Sequence, residues 1–327
     1  MTALLLPRSE NRPAQVALDL TALGVTADDD LGADLPVAKA DLARLASYTR
    51  AAHEAGVDFV ALGEGFRLRT DRVLRPESWL DPVVAARRIG PHAGPGGLVA
   101  AVPAGADLRP VAAELAQVGL VGTAWAGVQT RAGAPAARLA GEERPARGTG
   151  TRVVVEVRDE RDVETAGSFA DVVRIREQDA AWARELRFAV RAAARAAGRG
   201  DIPVLVDLHA VVSTQRSAAV ERAALVADIA GGAPWTGALA GVGTVSDVAD
   251  TIEAWVTGGS ADGVVVVPGS VPADVAALVH GLLPELRGRG LLAPATTAVR
   301  PVRVPSAPAA RVAAARRPAA ARVAVPS

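Results

Sequence analysis

An α/β chain folded as a single (β/α)8 TIM barrel is what this sequence predicts, on three observations. Eight apolar runs of strand length recur between residues 15 and 269. They alternate with segments whose apolar residues return every three or four positions, the period of a helix face. Several runs, "VVVV" at 264–267 above all, show no polar alternation, as a parallel strand covered on both faces requires.

In chain order the strands are "QVALDL" (15–20), "DFVALG" (58–63), "GLVAAVP" (97–103), "TAWAGVQT" (123–130), "RVVVEV" (152–157), "ADVVRIR" (170–176), "PVLVDLHAVV" (203–212) and "GVVVVPG" (263–269). The helical patterns between and after them are clearest at 37–56, 107–119, 179–198, 213–232, 246–259 and 272–290, several of which close on glycine, as helix C-termini prefer. The alternation and the count favour a closed barrel over an open doubly wound sheet. No G-x-G-x-x-G follows the first strand, which counts against a Rossmann dinucleotide-binding fold. Residues 131–150, rich in Gly, Pro and Ala, read as a loop between strands four and five. The barrel is assigned to residues 1–293, and the Ala/Pro/Arg tail at 294–327 is expected to be disordered.

Composition narrows the function classes. Cysteine is absent and the four histidines, His53, His92, His209 and His280, share no ligand spacing, so no metal site is expected. His53, His92 and His280 are expected to be solvated, on helix surfaces or in a turn. The formal net charge is zero and half the residues are apolar. No run reaches the roughly 20 apolar residues of a membrane span, and no basic stripe interleaved with aromatics suggests nucleic acid. A cytoplasmic protein acting on a small molecule is the expectation, with no nucleic acid and no membrane as partner and a homodimer left open.

Period-two geometry points to the mouth of the barrel, where sites of this fold lie. In "PVLVDLHAVV" the even-numbered apolar set faces the helices, which turns Asp207 and His209 inward together. The same reasoning sends Glu156 and Arg158, Arg174 and Arg176, and Gln15 and Asp19 into the lumen. Asp207 beside His209 is expected to raise the imidazole pKa into a useful range. The plainer reading of Glu156 and Arg174 is an internal salt bridge.

Two stretches carry a family resemblance. Gly243–Leu292, with "GTVSDVAD", "ADGVVVVPGSVPADV" and "LLPELRGRGLL", and Ala51–Val102, with "AAHEAGVDFVALGEGF" and "SWLDPVVAARRIGPHAGPGGLVAAV", resemble bacterial luciferase-like flavin monooxygenases. The branch is that of nitrilotriacetate and dibenzothiophene sulfone monooxygenases. The resemblance implies reduced FMN, or a deazaflavin in related branches, bound at the C-terminal face and often delivered by a separate flavin reductase. It adds Glu64 to Asp207 and His209, which strand parity offers, as catalytic candidates, and it places Ala101, Trp125, Gly127, Glu156 and Arg158 among the cofactor contacts, to which the turn after the last strand adds Ser270. The chain departs from the family pattern at four places. Gly63-Glu64 replaces a pair of acids, Ala101 a threonine, "GTAWAGVQT" the motif G-R-x-G-W-N, and "EVRDE" (156–160) the phosphate motif Q-A-G-x-S. Arg158 or Ser270 would then have to hold the phosphate. The reading is an FMN-dependent monooxygenase oxidising a small organic substrate with O2. The alternatives are a flavin or deazaflavin oxidoreductase without oxygen insertion and a non-catalytic barrel that has lost its flavin.

Overall fold

The computed structural model describes residues 12–23, 42–69, 79–102, 108–119, 123–132 and 151–294. Of the loop expected at 131–150, Arg131 ends a strand and 133–150 lie outside the described residues, as do 295–327 of the tail expected from 294. Eight parallel strands close on themselves: β1 (Gln15–Asp19), β2 (Phe59–Leu62), β3 (Gly97–Ala101), β4 (Trp125–Arg131), β5 (Arg152–Val157), β6 (Val172–Ile175), β7 (Val204–Val212) and, last in the ring, Gly263–Pro268. Each pairs with its sequence neighbour, and the last closes on β1 with Gln15 against Gly263 and Leu18 against Val266. These are the eight runs read from the sequence. The order and the closure are as expected.

A ninth strand, β8 (Leu239–Gly243), was not anticipated. It pairs with the upper half of β7, Leu239 against Leu208 through Gly243 against Val212. Beside it β6 takes only the lower half of that edge, Val173 against Val204 to Ile175 against Val206. The run "LAGVG" has two glycines and no β-branched cluster, so nothing local marks it as a strand. Gly263–Pro268, now β9, occupies the other edge of β7. A two-residue antiparallel ribbon, Leu68–Arg69 against Trp79–Leu80, stands apart from the barrel.

The helices are α1 (Leu42–Glu54), α2 (Pro82–Ile89), α3 (Leu108–Gly119), α4 (Arg161–Phe169), α5 (Ala180–Ala196), α6 (Arg216–Ile229), α7 (Val245–Thr257), α8 (Val271–Ala277) and α9 (Leu283–Gly288), the last two joined by a wider turn at Leu278–Leu282. Outward-facing strand residues such as Val60, Leu98, Val206 and Val264 are fully buried against this layer. A second, separate core fills the lower lumen: Ala17, Phe59, Ala61, Val99, Val154, Val172, Leu205 and Val265. The outward faces are apolar over most of their length and the inward faces are apolar in the lower lumen, which is why the runs show little alternation.

Three aspartates lock the N-terminal ends of the strands. Asp58 donates its N–H to the Val16 carbonyl (2.8 Å) and accepts the Val16 N–H on Oδ2 (2.8 Å). Asp171 does the same to Val153 (2.8 and 2.9 Å) and Asp262 to Val204 (2.8 and 2.9 Å). Each stands one residue before its own strand, in the pattern Val/Ala-Asp-x-Val, and satisfies both polar groups of one residue on the preceding barrel strand. His53 is a correction. It is buried in α1, with Nδ1 2.6 Å from the Ala93 carbonyl and Nε2 3.0 Å from that of Gly97, and burial lowers its pKa. Gly96 leaves it room, since a Cβ there would fall 2.2 Å from its ring. His92 and His280 are exposed, as expected.

Candidate active site

Above the apolar layer the lumen turns polar. Arg174, near the end of β6, extends under the mouth and is held from three strands. Its Nε and Nη2 meet the two Asp207 oxygens of β7 at 2.5 and 3.1 Å. Nη2 also reaches Asp19 Oδ2 of β1 at 2.7 Å, and Nη1 lies 3.3 Å from Gln129 Oε1 of β4. Gln129 passes its amide N–H to Glu156 Oε1 at 2.6 Å. The other Asp19 oxygen accepts the Thr21 N–H (2.8 Å), and the Thr21 hydroxyl accepts the Gly63 N–H (2.6 Å). A side chain at 63 would not fit, because its Cβ would sit 2.5 Å from that hydroxyl.

One guanidinium thus serves three nearby carboxylates, Asp19, Asp207 and Glu156. Burial opposes the arginine's charge, but Asp207 and Asp19, aided by Glu156, outweigh it and hold its pKa above the ordinary value. Asp207 is pushed up, first by burial and then by Asp19 and Glu156, with Arg174 pulling the other way. The surrounding carboxylates raise the arginine, whereas at Asp207 burial is the main cause and they only add to it.

The sequence places Asp207 and His209 on one face of β7, and their inward direction holds. The expected rise in the His209 pKa does not. Burial, then Arg176, lower it to about 4, with Asp19 opposing and Arg174 adding to the fall. The charge of Asp207 is taken up by Arg174 and does not serve the histidine. His209 is therefore neutral at pH 7 and available as a hydrogen-bond partner at the mouth. Its C–H resonances should titrate near pH 4 rather than near the ordinary 6.5, and an NMR midpoint at or above 6.5 would contradict this placement.

The other candidates fall in different places. Glu64 is exposed after β2 and ion-paired with Arg131 at 2.9 Å, tying the ends of β2 and β4. Ala101 closes β3, buried and in register with Gln129. Glu156 is in the polar cluster, though its direct partner is Gln129 and not its cross-strand neighbour Arg174. Arg158 is 60% exposed, with Nη2 4.0 Å from Glu156. Trp125 and Gly127 are at the opposite end of the barrel from the mouth. Trp125 begins β4, packs on Phe59 with ring centroids 5.5 Å apart and carries the Arg152 guanidinium 4.4 Å above its ring. Gly127 gives it space, since a Cβ there would meet the indole and the Arg152 carbonyl at 3.0 Å. Ser270 opens α8 without a side-chain cap, and its N–H is taken by Asp274 Oδ2 at 2.7 Å.

Sequence reasoning passed over Gln129, Thr21, Arg131 and Asp274. Gln129 was legible by parity, two residues beyond Gly127 on the inward face. Asp274 stands four residues after Ser270, in the first turn of a helix where acids gather. Among the described residues no group of three or more His, Asp or Glu could hold a metal, and no helix is long and apolar enough to cross a membrane.

No sequence-family model and no curated protein matches the chain. Solved structures do. EDTA monooxygenase from Chelativorans sp. BNC1 superposes with a TM-score of 0.64 at 16% identity, over 86% of this chain and 95% of that one. Riboflavin lyase, solved with modified FMN and its substrate riboflavin, gives 0.64 at 16% over 86% and 93%. The coenzyme F420-dependent tetrahydromethanopterin reductase of Methanopyrus kandleri gives 0.59 at 12% over 84% and 99%. The chain shares the TIM-barrel fold of these structures. At this identity the likeness is one of fold.

Proposed function

We propose that the protein is a flavin-dependent oxidoreductase of the monooxygenase kind, oxidising a small organic substrate at the C-terminal mouth of its barrel. The observation that carries this reading is the polar cluster of Asp19, Gln129, Glu156, Arg174 and Asp207. It lies at the end where this fold does its chemistry, in a barrel shared with flavin and deazaflavin enzymes. Arg174 fixes the floor from three strands. Glu156, half-buried and tethered by Gln129, is the group able to accept or carry a proton for a substrate above that floor, and neutral His209 is available to it as a hydrogen-bond partner.

FMN fits this mouth only in part. The amides after β5 and β9, where the phosphate is expected, are bound by Asp162 and Asp274, although the first turn of α6 carries no side-chain cap. That mismatch favours a second reading, a luciferase-like barrel that has lost its flavin and serves as a binding or accessory protein. Titrating the purified protein with riboflavin, FMN and a deazaflavin, each followed by fluorescence quenching, separates the two. Saturable binding with a dissociation constant of the order of micromolar, near the tight end of ordinary enzyme affinities, is expected of the enzyme. Absence of binding by all three supports the accessory barrel.

A further inference from the structure

The wall of the barrel mouth has an open edge. β8 pairs with β7 alone among the strands. It stands above β6, whose pairing with β7 ends at Ile175 against Val206, while that of β8 begins at Leu239 against Leu208. β5 stops level with β6, Val157 against Ile175. β8 rests on β7, α6 and α7, and no strand among the described residues lies on its far side.

The ladder fixes which groups face outward. The Ser213 N–H, just past β7, donates to the Gly243 carbonyl (3.0 Å), and in a parallel pair alternate residues turn both backbone groups to the same neighbour. Leu239, Gly241 and Gly243 therefore bond to β7, and Ala240 and Val242 turn their N–H and C=O groups away from it. No hydrogen bond to those four groups occurs among the described residues. The side chains of the same two residues face the lumen. A Cβ on Gly241, between them, would meet Leu208 and Val248 on the helix side, each at 3.2 Å, which leaves the inward face to its neighbours. Ala240 is exposed and in register with His209, two residues above Asp207 on the same face.

We infer that the free edge of β8 is a recognition element of the mouth, and that it takes a small molecule with a peptide-like amide unit, N–H on the Ala240 carbonyl and C=O on the Val242 N–H. A unit lying opposite Gly241 continues the parallel ladder by one residue. The occupant is small because the edge is short: two residues and four groups give a strand of another chain too little to hold. The edge is also bounded. Above it the chain enters the capping box of Thr244 and Asp247, and below it the carbonyls of Pro234 and Thr236 are held by Arg176 at 2.6 and 3.2 Å. An amide on this edge lies beside His209, over the Arg174–Asp207 pair. That the molecule is the substrate rests on the oxidoreductase reading above. That the edge binds an amide does not.

The test uses the full chain, isotope-labelled for NMR and free of flavin, so that its outcome and that of the flavin titration are independent. Without ligand, the amides of Ala240 and Val242 should exchange with solvent at least about tenfold faster than those of Gly241 and Gly243. Equal protection of all four would mean that another segment or a second copy already covers the edge, and overturns the proposal. N-acetylalanine N-methylamide should then shift the Ala240 and Val242 resonances saturably. The same compound methylated on the alanine nitrogen, which cannot donate to the Ala240 carbonyl, should bind at least about tenfold more weakly. Val242→Pro removes an outward N–H and no ladder bond, a change that edge strands accept. It should abolish the shift at Ala240 and leave the melting temperature within a few degrees. If that variant does not fold, the methylated compound carries the comparison. Equal affinity for the two compounds, shifts confined to other residues, or no binding of either overturns the assignment.

Discussion

Replacing Arg174 by methionine is expected to cost about 3–5 kcal/mol at pH 7, the scale for stranding buried charges by removing their partner, and the cost should shrink on acidification. Arg174 is the cation for both Asp19 and Asp207, which are themselves buried. Methionine fills much of the volume but leaves two carboxylates facing each other across the lumen. The sign of the pH effect follows from Asp207, whose folded pKa already lies above its unfolded value because burial outweighs the arginine. An acid raised in this way destabilises the fold at pH values above its folded pKa, and the penalty fades as pH falls toward the unfolded value near 4. Without Arg174 the raised pKa climbs further, so protonation of Asp207 relieves the variant more than it relieves the parent. Urea unfolding of both proteins at pH 7 and pH 5 measures the gap. A gap of equal size at both values would mean that the loss is one of packing and not of unpaired charge.

The barrel was legible because its physical requirement is written into each strand. A parallel strand between lumen and helices must be apolar toward the helices and through the lower lumen, and eight runs meet that demand. Parity was legible too: Asp19, Glu156, Arg174, Asp207 and His209 all face the lumen, as alternation from their apolar neighbours requires. Partner choice was not. Glu156 and Arg174 are direct cross-strand neighbours, yet the guanidinium bonds to Asp207 on the next strand and crosses the lumen to Asp19. That choice depends on strand stagger and side-chain reach, which no local pattern encodes. The pKa of His209 went the other way because burial, and then Arg176, lower it. Height along the barrel was a further blind spot. Trp125 was read as a cofactor contact but begins β4, so its ring packs on Phe59 at the lower end. The four-residue spacing from Ser270 to Asp274 was in plain view, but its meaning depends on the Val212 amide 62 residues away.

Asp262→Ala should be as damaging as the loss of Arg174, although it lies at the other end of the barrel and touches nothing a ligand could reach. Its Oδ2 takes the Val204 N–H at 2.9 Å, and its Oδ1 is the shared partner of Arg187 and Arg191, both at 2.7 Å. Alanine would orphan a buried amide, a loss of about 1–3 kcal/mol, and strand two mostly buried guanidiniums of α5, so a total of about 3–5 kcal/mol is expected. Asp262→Asn should fall between, because its carbonyl can still accept the Val204 N–H while the charge is gone. Asp201 supplies the control. It pairs with Arg195 at 3.2 Å and Arg191 at 3.8 Å, but it stands at the surface, where such pairs contribute about 0–1 kcal/mol. Asp201→Asn should therefore leave the urea midpoint nearly unchanged. If it matched Asp262→Ala, the stabilisation would reside in the arginine cluster's net charge and not in the lock on Val204. The three locks are separated along the chain and share no partner, so the effects of Asp171→Ala and Asp262→Ala should add. A sum well below additivity would show that one end of the barrel opens before the other.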